Sequence, residues 1–340
     1  MEISKKEIKK IAIFRALQLG DMLCAIPAIR ALRKAFPEAN ITLIGLPWAK
    51  TLCALYPQYF NDFIPFPGYP GLPEQAFDAI EFYGFLGKVQ SEGFDLVLQI
   101  QGSGVISNAI VSLFNAKNIG GFYLKNHYRP NDSFFIEYPS GIHETERHLR
   151  LMEHLGIPQD GTELEFPVTE KDERALQELN LGLEKGKYVC VHPGSRSTSR
   201  QWPAKYFAEL ADYCTDNSLT VVITGTTDEL HLAKKVAANM KTSPIIVAGK
   251  TSLGSVAALV KNAAVLISNC TGVSHIAAAL KVPSVIVSMD GEPERWTPLN
   301  KNIHLAVDWT TRPEFDTVLS NLKQLLQHHV VQSFPEKPTA

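Results

Sequence analysis

Cysteine is scarce and scattered. Cys24, Cys53, Cys190, Cys214 and Cys270 make an odd 5 in 340 residues, at long spacings and with no C-x-x-C. That pattern argues against a disulfide framework or a zinc site and fits a reducing compartment. Charge of one sign is scarce too. Lys and Arg number 33, Asp and Glu 35, and the net charge is −2. Nothing global therefore draws the chain to nucleic acid or to an anionic membrane. No apolar run approaches the roughly 18 residues that a membrane span needs. Arg15 breaks the apolar stretch after Ile11 too early for a signal peptide. These absences together predict a cytoplasmic chain.

Several nucleotide and nucleophile signatures are also missing. The turn after Ile11–Phe14 reads Arg15-Ala16-Leu17-Gln18-Leu19-Gly20-Asp21, without G-x-G-x-x-G. Neither G-x-x-x-x-G-K-[ST] nor G-x-S-x-G occurs. Readings as an NAD enzyme, a P-loop hydrolase or an α/β-hydrolase lose their usual supports.

What is present is a globular composition, 45% hydrophobic and 20% charged, with length for two domains. The first half alternates strand patterns at 10–14, 40–45, 94–100 and 118–122 with helix patterns at 26–36, 48–56, 75–91 and 105–115. Such alternation predicts a parallel sheet covered on both faces. Residues 56–73, rich in proline and aromatics, read as a loop. A helix at 144–155 stops at Gly156, and residues 157–170 read as a linker. The second half repeats the style, with strands at 187–192, 219–224, 244–247, 264–268 and 283–288. Helices are expected at 203–215, 227–239, 252–261, 272–280 and about 314–328. Two Rossmann-like halves of near-equal size predict a cleft between them.

Four places carry chemistry. Leu19-Gly20-Asp21 follows the first strand and puts a carboxylate at the carboxyl edge of a sheet, where open α/β folds bind ligands. Position alone fits both a helix cap and a catalytic base. His192-Pro193-Gly194-Ser195-Arg196, running on to Arg200-Gln201-Trp202-Pro203, is a strand-to-helix loop with a glycine, hydroxyls and two arginines. It reads as a phosphate receptor or as a plain loop whose serines satisfy their own backbone. Thr271-Gly272-Val273-Ser274-His275 opens a helix whose buried stripe is expected at Val273, Ile276, Ala277 and Leu280. His275 falls opposite, beside Ala278 and Ala279. The glycine at that helix start lets a diphosphate approach the positive end of the dipole, and the segment also fits a plain Thr N-cap with a structurally satisfied His. Glu229, beyond the strand Val221–Thr224, suits a ribose hydroxyl and equally the first turn of a helix. Arg30, Arg33 and Lys34 cluster on one helix, as a solvated face or as a local basic patch.

Jointly these residues resemble the heptosyltransferases, the ADP-heptose:lipopolysaccharide enzymes and their relatives in glycosyltransferase family nine. The resemblance rests on Gly20-Asp21, Pro27, the His192-Pro193-Gly194-Ser195 loop ending in Arg200-x-Trp202-Pro203, and Thr271-Gly272-x-Ser274-His275-x-Ala277-Ala278-Ala279. It implies an α/β protein of the GT-B fold, two Rossmann-like domains facing each other across a cleft. An acceptor domain would span 1–165 and a nucleotide-sugar domain 166–310. A helix at 311–330 would cross back to the first domain, ahead of a tail at 331–340. The implied reaction is an inverting transfer that needs neither metal nor cofactor, with Asp21 as base. Ser195, Arg196, Arg200, Thr271, Gly272 and His275 would bind the donor phosphates, and Glu229 the ribose. The donor would be an ADP-sugar. A lipopolysaccharide-core or other glycan acceptor would bring the protein to the inner face of the cytoplasmic membrane, with the aromatic loop 56–73 as a contact or as a cover for the first sheet.

The sequence departs from the family at two positions. Arg200 stands where the family usually has Lys, and Cys270 where it usually has Asp, which removes a carboxylate from the donor site. Two other readings follow the same residues: a non-catalytic nucleotide-sugar-binding relative, and a GT-B-like nucleotide-sugar epimerase.

Overall fold

A computed structural model describes residues 7–333. The chain divides into two compact units between Glu163 and Leu164. The first unit holds β1 (Lys10–Phe14), α1 (Leu19–Ala35), β2 (Asn40–Gly45), α2 (Ala49–Leu55), β3 (Asp62–Pro65), α3 (Ala79–Glu92), β4 (Leu96–Gln99), α4 (Ser107–Ser112), β5 (Asn118–Tyr123), β6 (Phe135–Glu137) and α5 (Glu144–His154). The second holds α6 (Glu170–Gln177), β7 (Tyr188–His192), α7 (Ala204–Asp216), β8 (Thr220–Ile223), α8 (Leu230–Asn239), β9 (Ile245–Ile246), α9 (Leu253–Lys261), β10 (Val265–Asn269), α10 (Gly272–Ala279), β11 (Ser284–Ser288), α11 (Pro293–Trp296), β12 (His304–Asp308) and α12 (Phe315–Ser333).

Each unit contains a six-stranded sheet. The orders are β3-β2-β1-β4-β5-β6 and β12-β11-β10-β7-β8-β9, and every registered pair is parallel. Counted from its own first strand, each sheet follows the 3-2-1-4-5-6 order of a doubly wound fold. The central strands are apolar on both faces because helices cover both. Ile11, Ala12, Ile13 and Phe14 of β1 are buried, as are Val189, Cys190 and Val191 of β7.

The segment 56–73 is not wholly a loop. It contains β3, and Tyr56, Tyr59, Phe60 and Phe66 are buried in the first unit. β3 is an edge strand, where Pro65 breaks no ladder. Apolar surface is exposed further along instead, at Phe77, Ile80 and Tyr83 around the start of α3. β6, α6, α11 and β12 are likewise additions to the elements expected from sequence. The basic cluster on α1 is not a free patch: Arg30 and Arg33 are half-buried, Lys34 is exposed to solvent, and all three are paired. Arg30 donates to Asp160 O at 2.8 Å, Lys34 pairs with Asp160 at 2.9 Å, and Arg33 donates to Ala39 O and to the side chain of Asn61, both at 2.6 Å. The three side chains fasten the ends of loops onto the helix.

α12 packs against β11, β12 and α7 of the second unit, burying Val318, Leu322, Leu325 and Leu326. Of the tail expected at 331–340, residues 334–340 lie outside those described. Among the described residues no helix is long and apolar enough to cross a membrane.

Candidate active site

In the second sheet the chain moves outward from β7 to β8 and β9, then returns to place β10 on the other side of β7. The loops leaving β7 and β10 therefore diverge. The crevice at their carboxyl ends is the switch point at which doubly wound sheets hold ligands. Asn269, the fully buried last residue of β10, fixes its floor. Its Nδ2 donates to Pro193 O at 2.8 Å and Gly194 O at 3.2 Å, while its Oδ1 accepts the Trp202 N–H at 2.9 Å. One amide thus ties both ends of the β7–α7 loop to β10. The Trp202 ring anchors the loop in an aromatic cluster, with its centroid 5.2 Å from those of Tyr206 and Trp309.

Within this loop Ser195 is buried, and Gln201 Nε2 donates to its carbonyl at 2.9 Å. Arg196 is exposed. Glu229 comes from the β8–α8 loop and lies against Gly194, where a Cβ would fall onto its carboxyl group. Its Oε2 accepts the Thr226 N–H at 2.8 Å and sits 4.0 Å from His192 Nε2. Glu229 occupies the N-cap position of α8, but its carboxylate bonds the preceding loop instead of the helix's own first N–H groups, and its side chain reaches the glycine turn. His192 Nδ1 is 2.9 Å from Thr224 Oγ1. Burial holds the His192 ring below the usual imidazole range, with Glu229 acting in the opposite direction.

Arg200 lies in a short 3-10 turn, Thr198–Arg200, with its side chain 47% exposed. Its Nη2 is 3.6 Å from Asp290 Oδ2. Cys270 begins the turn after β10, its N–H donating to Val287 O at 2.9 Å. Its thiol is pushed up to about 12, mainly by burial and further by Asp290, against the opposing charges of Arg200 and Lys301. Cys270 is therefore an uncharged thiol at neutral pH.

Thr271 caps α10, and the Ser274 hydroxyl spans the cap: it accepts the Thr271 N–H at 3.3 Å and donates to Thr271 O at 2.7 Å. Gly272 is the first residue of the helix. The expected single buried stripe is replaced by burial all round. Val273, Ser274, His275, Ile276 and Ala277 are all buried, and Ala278 to Leu280 are half-buried. α10 packs against β10, β11 and α9 together, so its early turns have no solvent face. His275 consequently lies within the packed helix start, 3% exposed.

Asp21 belongs to the first unit and is half-buried at the third position of α1. Its Oδ2 accepts the Gln18 N–H at 3.3 Å in a reciprocal capping box. The cap function is thus present in the structure. Beneath it lies a buried ionic cluster. Arg15, wholly buried, donates to the Asp21 carbonyl from Nε at 3.0 Å and from Nη2 at 2.8 Å, and also donates to Ile100 O. Glu144 Oε1 lies 3.4 Å from Arg15 Nη2 and 3.4 Å from His148 Nε2, and Glu144 Oε2 accepts from Arg147. The contact with His148 and the charges of Arg15 and Arg147 hold the Glu144 carboxyl far below its usual range despite burial. Burial, helped by Arg15, pushes His148 down to about 4.

Sequence reading passed over Asn269, Asp290, Arg15 and Glu144. Asn269 had a local signal, a polar residue closing an apolar strand just before a Thr-Gly turn. Arg15 interrupts an apolar run at a strand end, which marks a buried charge in need of a partner. Asp290 and Glu144 gave no such signal, since Arg200 and Arg15, the partners that give them their place, lie far away in the chain.

The sequence model of glycosyltransferase family 9 (heptosyltransferase) matches residues 84–324, which include every candidate named above in the second unit and begin after Asp21. The chain is 26% identical over 242 residues to lipopolysaccharide heptosyltransferase 3 of Escherichia coli (strain K12), covering 68% of each. Its fold matches that of a family 9 glycosyl transferase from Veillonella parvula DSM 2008, with 20% identity, a TM-score of 0.79, and 94% of this chain and 97% of that one covered. It also matches the E. coli ADP-heptose lipopolysaccharide heptosyltransferase II, with 20% identity, a TM-score of 0.76, and 94% and 99% covered. Two Rossmann-like units of this kind define the GT-B class. The chain belongs to glycosyltransferase family 9, the heptosyltransferases.

Proposed function

We propose that this glycosyltransferase moves a heptose from ADP-heptose to a hydroxyl of a lipopolysaccharide core, with inversion and without a metal. The observation that carries the reading is the set of groups at the switch point of the second sheet. Arg200 and the N–H groups at the start of α10 supply positive charge, and Glu229 reaches the Gly194 turn as a hydroxyl acceptor. A diphosphate leaving group needs such charge, and here cations and a helix N-terminus provide it. Ser195, Arg196, Thr271, Gly272 and His275 complete the diphosphate site, and Glu229 takes the ribose. Cys270 stands beside the donor as a neutral side chain.

In the transfer, the acceptor hydroxyl gives its proton to the Asp21 carboxylate as its oxygen bonds to the anomeric carbon. The bond from that carbon to the β-phosphate oxygen breaks, and its electron pair leaves with ADP. Attack opposite the leaving group inverts the anomeric centre. An acceptor in lipopolysaccharide would place the protein at the inner membrane face, with the exposed Phe77, Ile80 and Tyr83 available to that surface.

The test is incubation with ADP-heptose and a heptose-deficient core acceptor in the presence of EDTA. The product's mass should rise by one heptose, and NMR should show the inverted anomer. Binding of ADP-heptose with no transfer across an acceptor panel would instead mark a non-catalytic relative, and a rearranged sugar formed without acceptor an epimerase.

Gly194→Ala gives a second check. The added Cβ displaces only the flexible end of Glu229. ADP affinity measured by calorimetry is expected to fall about tenfold with the melting temperature nearly unchanged. Unchanged affinity would remove Glu229 from the ribose site.

A further inference from the structure

We propose that Asp290 is a positioning residue that holds the Arg200 guanidinium in place for the donor's diphosphate. This rests on the donor site described above, but the residue lies outside the motifs that suggested that site.

Arg200 needs such help. It sits in a three-residue 3-10 turn, its side chain is 47% exposed, and Asp290 is its one ion-pair partner among the described residues. An arginine on an exposed loop samples many rotamers, and each must be given up when phosphate binds. Asp290 is built the opposite way. Its side chain is 8% exposed. Its Oδ1 accepts the Ser288 hydroxyl at 2.8 Å and the Glu292 N–H at 3.2 Å. That leaves Oδ2 toward Arg200. An anchored carboxylate therefore steers a loosely held cation.

The strand order puts the pair where it matters. β10 and β11 are neighbours, with Asn269 in register with Val287. The Cys270-Thr271-Gly272 turn and the Ser288-to-Asp290 segment thus leave the same edge side by side. At 3.6 Å the Arg200–Asp290 contact is longer than a charge-assisted hydrogen bond. The guanidinium is oriented without being consumed, so its donors remain available to an incoming anion. The cost is an anion beside an anion site. Orientation and repulsion predict opposite signs for removal of the Asp290 charge, which makes the proposal decidable.

The experiment is calorimetry on the full chain with ADP, AMP and inorganic pyrophosphate. Asp290→Asn, which keeps the Ser288 and Glu292 hydrogen bonds, should weaken ADP and pyrophosphate about tenfold and leave AMP almost unchanged. Asp290→Glu should recover part of the loss. In an Arg200→Ala background, Asp290→Asn should cause no further loss, because nothing remains to be positioned. A melting curve for each variant separates these effects from misfolding. Equal or tighter ADP binding by Asp290→Asn would overturn the proposal, as would the same loss in the Arg200→Ala background. If the wild type binds neither ADP nor pyrophosphate, the diphosphate site itself falls and takes the proposal with it. If the Asp290 effect appears but no heptose is ever transferred, the transfer reading fails and the positioning role stands.

Discussion

Asp21→Asn is expected to lower kcat for heptosyl transfer by about 10²–10⁴, the usual range for loss of a positioned general base. The substitution is chosen to separate the cap from the proposed base. The Asp21 Oδ2 accepts the Gln18 N–H in the α1 capping box. An asparagine carbonyl accepts the same hydrogen bond, so the helix start is kept while the proton acceptor is lost. The melting temperature should therefore stay close to that of the wild type, and the KM for ADP-heptose should change little, because the proposed donor groups belong to the other unit. Asp21→Ala removes cap and base together. It should match the kcat loss and add about 1 kcal/mol of destabilisation. An Asp21→Asn enzyme with wild-type kcat would leave Asp21 a cap and nothing more.

Glu144→Ala should produce the largest loss of stability, about 3–5 kcal/mol, because it strands the charges of Arg15 and Arg147 in the interior. Arg15 holds the Asp21 carbonyl, so the turn carrying the carboxylate should loosen too. Amide hydrogen exchange in α1 and α5 reads this directly, with faster exchange in both helices expected.

The same cluster sets the acid limit of the first unit. His148 is pushed from 6.5 to about 4 in the folded chain, so the unfolded chain takes up its proton first as the pH falls. Stability is then lost between about pH 6.5 and pH 4, amounting to about 3 kcal/mol. The Glu144 carboxyl, held low, acts in the same direction: its stabilisation is present above the usual glutamate pKa and drains away as the pH falls below it. Exchange in α5 should accelerate as the pH drops through this window, after correction for the intrinsic pH dependence of exchange. An α5 that keeps its protection down to pH 4 would contradict the burial of an uncharged His148.

Continuous apolar runs made most strands legible: β1, β2, β7, β10 and β11 lie within a residue or so of their expected bounds. The elements that escaped are short or polar. β3 has four residues, ends in Pro65 and sits inside a proline-rich stretch. β12 is half-buried at Leu305, Ala306 and Asp308, and so lacks an unbroken apolar run. α6, Glu-Lys-Asp-Glu-Arg-Ala-Leu-Gln, buries no residue fully. The candidate site was legible only as far as each residue's place beyond a strand. Glu229, Arg200 and Thr271 stand at such positions because sheet order turns strand ends into a crevice. What stayed hidden depends on chain segments meeting in space. Arg15 and Glu144 are 129 positions apart, and Asp290 reaches Arg200 only because β11 lies beside β10. Helical periodicity puts His275 beside the small Ala278 and Ala279, with room for a ligand or a close neighbour, and packing of α10 on three sides supplies the neighbour.

The order of strands also bears on how the chain is made. In each sheet the strand synthesised first, β1 or β7, lies at the centre, and its partners arrive later on either side. During translation β1 has only β2 to pair with until β4 emerges more than fifty residues later, so an apolar strand waits half-covered. The strands of the first sheet all precede the second unit in sequence. The first sheet can therefore close while the second is still in the ribosome, and the chain is most exposed to aggregation in the intervals before β4 and β10 appear.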